Sequence, residues 1–202
     1  MDKFFEKIRK PVSYITLIAL IVLSIVIGIG QCVEIGTLYL PSFSFAIVCG
    51  ACLFLYIIGL IRGKDFPIIV ALLVILFIFL LNPFLQAPYF EMIGMRFRDN
   101  AALGLAEILN MLMILGGIAV LVLYLLESIF GIKLSLVIQI LLLALVGLSL
   151  LYLLLSFIGI IISLVQGNGS SWYELFSPLM PVAGYLFVAV NFGILETKTK
   201  NI

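Results

Sequence analysis

The sequence contains no histidine and little charge. Histidine is the commonest metal ligand and the side chain that most often carries protons near neutral pH. Its absence excludes a Ser-His-Asp triad and an H-E-x-x-H zinc motif, and no glycine-rich phosphate loop occurs. A net charge of +1 gives no argument for nucleic acid. We therefore expect a protein that is not an enzyme, with no metal, no cofactor and no nucleic-acid partner.

The shortage of charge also excludes an ordinary water-soluble domain. Charged residues make up 10% of the 202 residues and hydrophobic residues 65%, whereas a soluble domain averages about 25% charged residues. So few charges cannot cover a surface that faces water. The composition predicts one integral membrane domain over residues 1–202, in contact with the lipid bilayer.

Six apolar runs divide the chain, and each is long enough to cross a bilayer core of about 30 Å when helical. The predicted spans cover residues 12–30, 42–61, 66–82, 102–127, 134–165 and 175–195, with short tails at 1–11 and 196–202. If the N-terminus is cytoplasmic, only Arg96 and Arg98 among the basic residues fall outside, as the positive-inside rule favours. The sequence thus predicts an all-α bundle of six transmembrane helices in a plasma or cytoplasmic membrane, with both termini cytoplasmic.

Polar residues inside these runs indicate which helix faces turn away from lipid. Glu107 lies within the fourth run, and Asn110 follows on the same helical face. A carboxyl group inside a membrane helix is costly, so this face should meet protein or water. Small and polar residues also form stripes on four other runs. The stripe of the first run is Ser24, Gly28 and Gln31, and that of the second is Cys49, Cys52, Tyr56 and Gly59. The stripe of the fifth run is Ser149, Tyr152, Ser156, Gly159, Ser163 and Gln166, and that of the sixth is Ser177, Gly184 and Asn191.

The third run has no comparable stripe, so we predict that it is the helix most exposed to lipid. For the other five, two interpretations stay open. Small residues let membrane helices approach closely and polar residues bond between helices, so the stripes could serve packing alone. Alternatively, the first, second, fourth, fifth and sixth spans enclose a polar cavity that opens outward. The candidate ligand-binding residues are then Glu107, Asn110, Tyr152, Ser156 and Asn191.

Glu107 could instead pair with Arg96 or Arg98 at the outer rim, which would be a purely structural ion pair.

Cys49 and Cys52 form a C-x-x-C pattern typical of thiol oxidoreductases. The pair lies within an apolar run without a basic neighbour to activate a thiolate, so buried packing cysteines are the favoured interpretation.

The sequence predicts three possible functions. The leading prediction is a non-catalytic accessory or structural subunit that associates with other membrane proteins or with a second copy of itself. The alternative is a small-solute or ion transport component that uses the outward cavity. A membrane thiol-disulfide oxidoreductase is the least favoured. The triplet Asn168-Gly169-Ser170 also matches an N-glycosylation acceptor.

Overall fold

A computed structural model describes the backbone of residues 2–38, 40–85, 89–131, 133–167 and 171–192. Within these ranges the chain forms seven α-helices, two short 3₁₀ turns and no strand. The helices are α1 (Asp2–Ile35), α2 (Ser44–Arg62), α3 (Asp65–Leu85), α4 (Tyr89–Asp99), α5 (Ala101–Phe130), α6 (Ser135–Gln166) and α7 (Leu179–Asn191). The 3₁₀ turns are Leu40–Phe43, before α2, and Trp172–Phe176, before α7.

Among the described residues, five helical segments are long and apolar enough to cross a membrane, which is the character of a multi-pass membrane protein. They are Ile8–Ile35, Ser44–Arg62, Ala101–Glu127, Ser135–Gln166 and Trp172–Asn191. The stretch Asp65–Leu80 of α3 is also apolar, but it is shorter than those five segments. The sixth span, the orientation of the termini and the identity of the membrane stay predictions.

Glycine residues end α2 and α5 at the ends of their apolar runs. Gly63 follows α2 with φ of 60°, and Gly131 follows α5 with φ of 66°. Only glycine adopts this left-handed backbone readily, so these two residues end α2 and α5. Between the third and fourth predicted spans lies α4, an amphipathic helix that packs on α5.

The prediction that the third run is the most lipid-exposed helix is wrong. Among the described side chains of α3, only Phe66 and Phe77 are exposed, and α3 packs against α2, α5 and α7. Its large side chains fill notches that glycines leave on its neighbours. A Cβ added at Gly59 of α2 would lie 2.5 Å from Ile68, and one at Gly117 of α5 would lie 2.7 Å from Leu80. An apolar helix without small residues therefore serves as the partner of helices that carry them.

The small and polar stripes turn inward, as predicted. Their buried members are Ser24, Gly28, Cys49, Cys52, Tyr56, Gly59, Ser149, Ser156, Gly159, Ser163, Gly184 and Asn191. The surface left for lipid consists mainly of the apolar outer faces of α5 and α6, where residues such as Leu112, Leu143 and Leu154 are exposed. In the middle of the bundle, the Tyr185 hydroxyl of α7 donates a hydrogen bond of 3.0 Å to the Met113 carbonyl of α5.

Candidate functional site

A polar cavity of about 240 Å³ lies at the end of the bundle where α1 ends and α5 begins. Its walls come from α1, α4, α5, α6 and the segment that leads into α7. The polar residues that line it are Gln31, Arg96, Glu107, Tyr152, Ser156, Tyr173, Glu174 and Ser177. In the predicted topology this is the outer end. The cavity is polar although α5 and α6, which form part of its wall, consist mainly of apolar residues.

Asn100 and Gly159 hold the α5–α6 wall of this cavity together. The Asn100 Oδ1 atom accepts a hydrogen bond of 2.8 Å from the Ala102 backbone N–H and so caps α5. Its Nδ2 atom donates to the Gly159 carbonyl of α6 at 3.3 Å. A Cβ added at Gly159 would lie 3.0 Å from the backbone nitrogen of Leu103, so the two helices touch through backbone at this point. This contact sets Glu107 of α5 and Ser156 of α6 on one cavity.

The helix α4 brings a positive charge to the cavity. The Phe97 ring lies directly on Gly104, where α5 offers no side chain, and this contact fixes α4 against α5. Arg96, the preceding residue, lines the cavity and lies close enough to Tyr152 and Glu174 to interact with both electrostatically. The sequence pointed to Arg96 or Arg98 as a neighbour of Glu107, and of these two it is Arg96 that lines the cavity with Glu107.

The remaining wall is attached to the end of α1 through Glu34. The Ser171 hydroxyl donates to Glu34 Oε1 at 2.9 Å, and the Tyr173 hydroxyl donates to Glu34 Oε2. The Tyr173 ring lies over Gly30, again where a side chain is missing. The exposed Glu34 carboxylate therefore has a structural role. It positions the segment that carries Glu174 and Ser177 into the cavity.

The cavity combines both signs of charge with hydroxyl groups. Glu107 and Glu174 can bind a cationic group, Arg96 an anionic one, and the paired side chains of Tyr152 and Ser156 can donate or accept hydrogen bonds. Across the described part of the chain, no cluster of three or more His, Cys, Asp or Glu residues could hold a metal ion. The arrangement suits noncovalent binding of a polar solute.

The structure brings together three of the five predicted ligand-binding residues. Glu107, Tyr152 and Ser156 line the cavity. Asn110 does not line it, but its Nδ2 atom donates to Glu107 Oε2 at 3.5 Å and can orient that carboxylate. Asn191 lies at the opposite end of the bundle, near Ser13, and so is separated from the other four. The expected contribution of α2 is also absent from the lining.

The other sequence motifs lie outside this cavity. Cys49 and Cys52 are free thiols, 0% and 1% exposed, in the core beside α3. Cys32 is half-buried near the end of α1. The glycosylation triplet at Asn168 and the tail at 196–202 fall outside the described residues. The redox role of Cys49 and Cys52 stays a prediction.

Neither a protein-family model, a curated protein nor a solved structure matches this sequence. A function must therefore be inferred from the chemistry and geometry of the cavity itself.

Proposed function

We propose that this multi-pass membrane protein binds a small polar solute in the cavity between α1, α5 and α6, as a solute-binding or transport component. The observation that carries the proposal is a cavity that gathers three charged side chains, Arg96, Glu107 and Glu174, and Glu107 lies inside a candidate membrane span. Ionisable groups within membrane helices are rare because they are costly, and they mark solute and ion sites.

The size and charges of the cavity narrow the class of solute. Its volume of about 240 Å³ lies below the range of roughly 300–1,000 Å³ that is typical of pockets for drug-sized ligands. A small metabolite or a hydrated cation fits such a volume. Since two carboxylates face one guanidinium, we propose a solute with a positive group bound at Glu107. Arg96 is placed to bind an anionic group if the solute carries one.

Thermal unfolding of the purified protein in detergent tests this proposal. A panel of small amines, amino acids and monovalent cations is added separately, and the unfolding temperature is measured for each. A ligand present at about 100 times its dissociation constant stabilises a protein by roughly 2.7 kcal/mol. For a chain of this size that corresponds to a rise of about 5–10 °C.

The Glu107→Gln variant should lose this rise, because the carboxylate that binds the positive group is gone. Glu127→Gln is the matched control, since it makes the same change on α5 outside the cavity lining. A full ligand-induced rise in Glu107→Gln, or no stabilising solute in the panel, would contradict the proposal.

The accessory-subunit role stays a prediction from the sequence. The outer faces of α5 and α6 carry apolar side chains such as Leu143 and Leu154, which lipid tails and a partner helix cover equally well. Purification under mild conditions distinguishes the two roles, because a stable membrane-protein partner would be recovered only in the accessory role.

A further inference from the structure

One wall of the cavity, residues 171–177, is attached to the bundle differently from the others. The α5–α6 wall is closed by backbone contact at Gly159. In residues 171–177 the backbone hydrogen bonds are local, from the Glu174 N–H to the Ser171 carbonyl and from the Ser177 N–H to the Glu174 carbonyl. Among the described residues, no backbone hydrogen bond joins this segment to α1, α4, α5 or α6. Displacing the segment would therefore leave the hydrogen bonds of those helices intact.

Side chains attach the segment to α1 through a single carboxylate. The Ser171 hydroxyl donates to Glu34 Oε1 at 2.9 Å, and the Tyr173 hydroxyl donates to Glu34 Oε2. The Glu34 side chain is exposed, so water competes for both hydrogen bonds, and exchanging them for bonds to water has a small net cost. The Tyr173 ring lies over Gly30 beside these bonds and guides the segment onto α1.

The segment also has packing of its own and an open outer side. The Trp172 ring contacts the rings of Tyr173 and Phe176 edge-on, with centroids 6.0 and 6.3 Å away. These contacts let residues 171–177 move as one unit. Trp172 is 51% exposed, so no described helix covers the segment from outside and blocks an outward movement.

The inner side of the segment faces the cavity. Tyr173, Glu174 and Ser177 all line it, and Glu174 lies close enough to Arg96 of α4 to interact with it electrostatically. In this position the segment separates the cavity from the surroundings of Trp172. Moving it outward would uncover the lining on α5 and α6.

We propose that residues 171–177 form a gate over the cavity and that the Glu34 carboxylate is its latch. When the hydrogen bonds from Ser171 and Tyr173 exchange to water, the segment turns outward and opens a path to Glu107. When the bonds re-form, the segment completes the cavity wall. The gate controls access for the solute proposed above and so rests on that function. Its test requires no solute to bind, so the gate and the solute function can fail separately.

The accessibility of a cysteine placed inside the cavity tests the gate. In a Cys32→Ser background, Ser156→Cys supplies one cavity thiol, since Ser156 is 3% exposed and lines the cavity. The purified protein in detergent is treated with trimethylammonioethyl methanethiosulfonate, and labelling of each thiol is followed by mass spectrometry. Glu34→Ala removes both latch bonds, and we expect it to raise the labelling rate of Ser156→Cys about two- to tenfold. Tyr173→Phe removes one bond but keeps the ring over Gly30, so we expect a smaller rise.

Three other thiols are the controls. Cys49 and Cys52, which are 0% and 1% exposed, should stay unlabelled, because the gate opens without unfolding the core. Lys133→Cys, at an exposed position beyond the other end of α5, should react at the same rate in every variant. An unchanged rate at Ser156→Cys in both latch variants overturns the proposal. So does a parallel rise at Cys49 or Cys52, or labelling of Ser156→Cys with the latch intact that is as fast as labelling of Lys133→Cys. If Glu34→Ala does not fold, Tyr173→Phe alone decides.

Discussion

Replacing Gly159 with alanine should force α5 and α6 apart at the cavity. The added Cβ would lie 2.6 Å from Leu103 Cγ and 3.0 Å from the Leu103 backbone nitrogen. Ordinary contacts of a Cβ atom begin at 3.4 Å. The Leu103 side chain can rotate away, but its backbone nitrogen moves only if the start of α5 moves. The variant therefore has to displace a helix by several tenths of an ångström.

The magnitude follows from the cost of overpacking a well-packed core, which is about 1–3 kcal/mol per inserted group. In a protein of this size, 1 kcal/mol corresponds to a change of about 2–4 °C in unfolding temperature, so the expected fall is about 2–12 °C. The same displacement weakens the hydrogen bond from Asn100 Nδ2 to the Gly159 carbonyl. Because Leu103 and Glu107 line the cavity on α5, solute-induced stabilisation should fall too.

Gly147→Ala is the matched control for this experiment. Gly147 lies on the same helix, and no atom comes within 4 Å of a Cβ added there. Alanine is also the better helix former, so the control should unfold at the wild-type temperature or slightly above it. Unfolding is followed in one detergent by intrinsic fluorescence. Equal unfolding temperatures for Gly159→Ala and Gly147→Ala would refute the close approach of α5 and α6.

Two further experiments test the cavity wall, by substitution of Asn100, and the cysteine pair, by chemical labelling. Asn100→Ala should cost about 0.5–2 kcal/mol of unfolding free energy because α5 loses its cap. Asn100→Asp should lose less unfolding free energy, because its carboxylate still accepts the hydrogen bond from Ala102 although it cannot donate to Gly159. Equal losses for the two variants in thermal unfolding would contradict the capping role. In the folded protein a maleimide should label Cys32 and spare Cys49 and Cys52, which are 0% and 1% exposed. Rapid labelling of either buried thiol after reduction would support the redox role.

The sequence predicted the inward faces of the helices well because small and polar residues are more informative in a membrane helix than in a helix surrounded by water. In water, a serine or glycine on a helix surface carries little information about its neighbours. In a bilayer, the same residue is either a close packing contact or a hydrogen-bonding group, and both need protein beside them. The stripe of Ser149, Ser156 and Ser163 is buried for this reason.

The error over α3 has a complementary cause. A uniformly apolar helix has no face that must avoid lipid, so its sequence does not say whether lipid or protein surrounds it. Its position is decided by the neighbours, because notches such as Gly59 and Gly117 need large side chains to fill them. Ile68 and Leu80 of α3 supply those side chains. Gly59 of α2 and Gly117 of α5 therefore hold the information about where α3 lies.

The cavity was only partly predictable because stripe periodicity gives the face of a helix and not the depth of a residue in the membrane. Ser177 and Asn191 belong to one stripe, yet α7 fills most of the interval between them and rises about 1.5 Å per residue. Ser177 consequently lines the cavity while Asn191 reaches Ser13 at the other end. Glu107, near the start of α5, and Ser156, in the second half of α6, share a depth because these helices run in opposite directions across the bundle. Comparing the depths of stripe residues, and not only their faces, would have kept Glu107 with Ser156 and separated Asn191 from them.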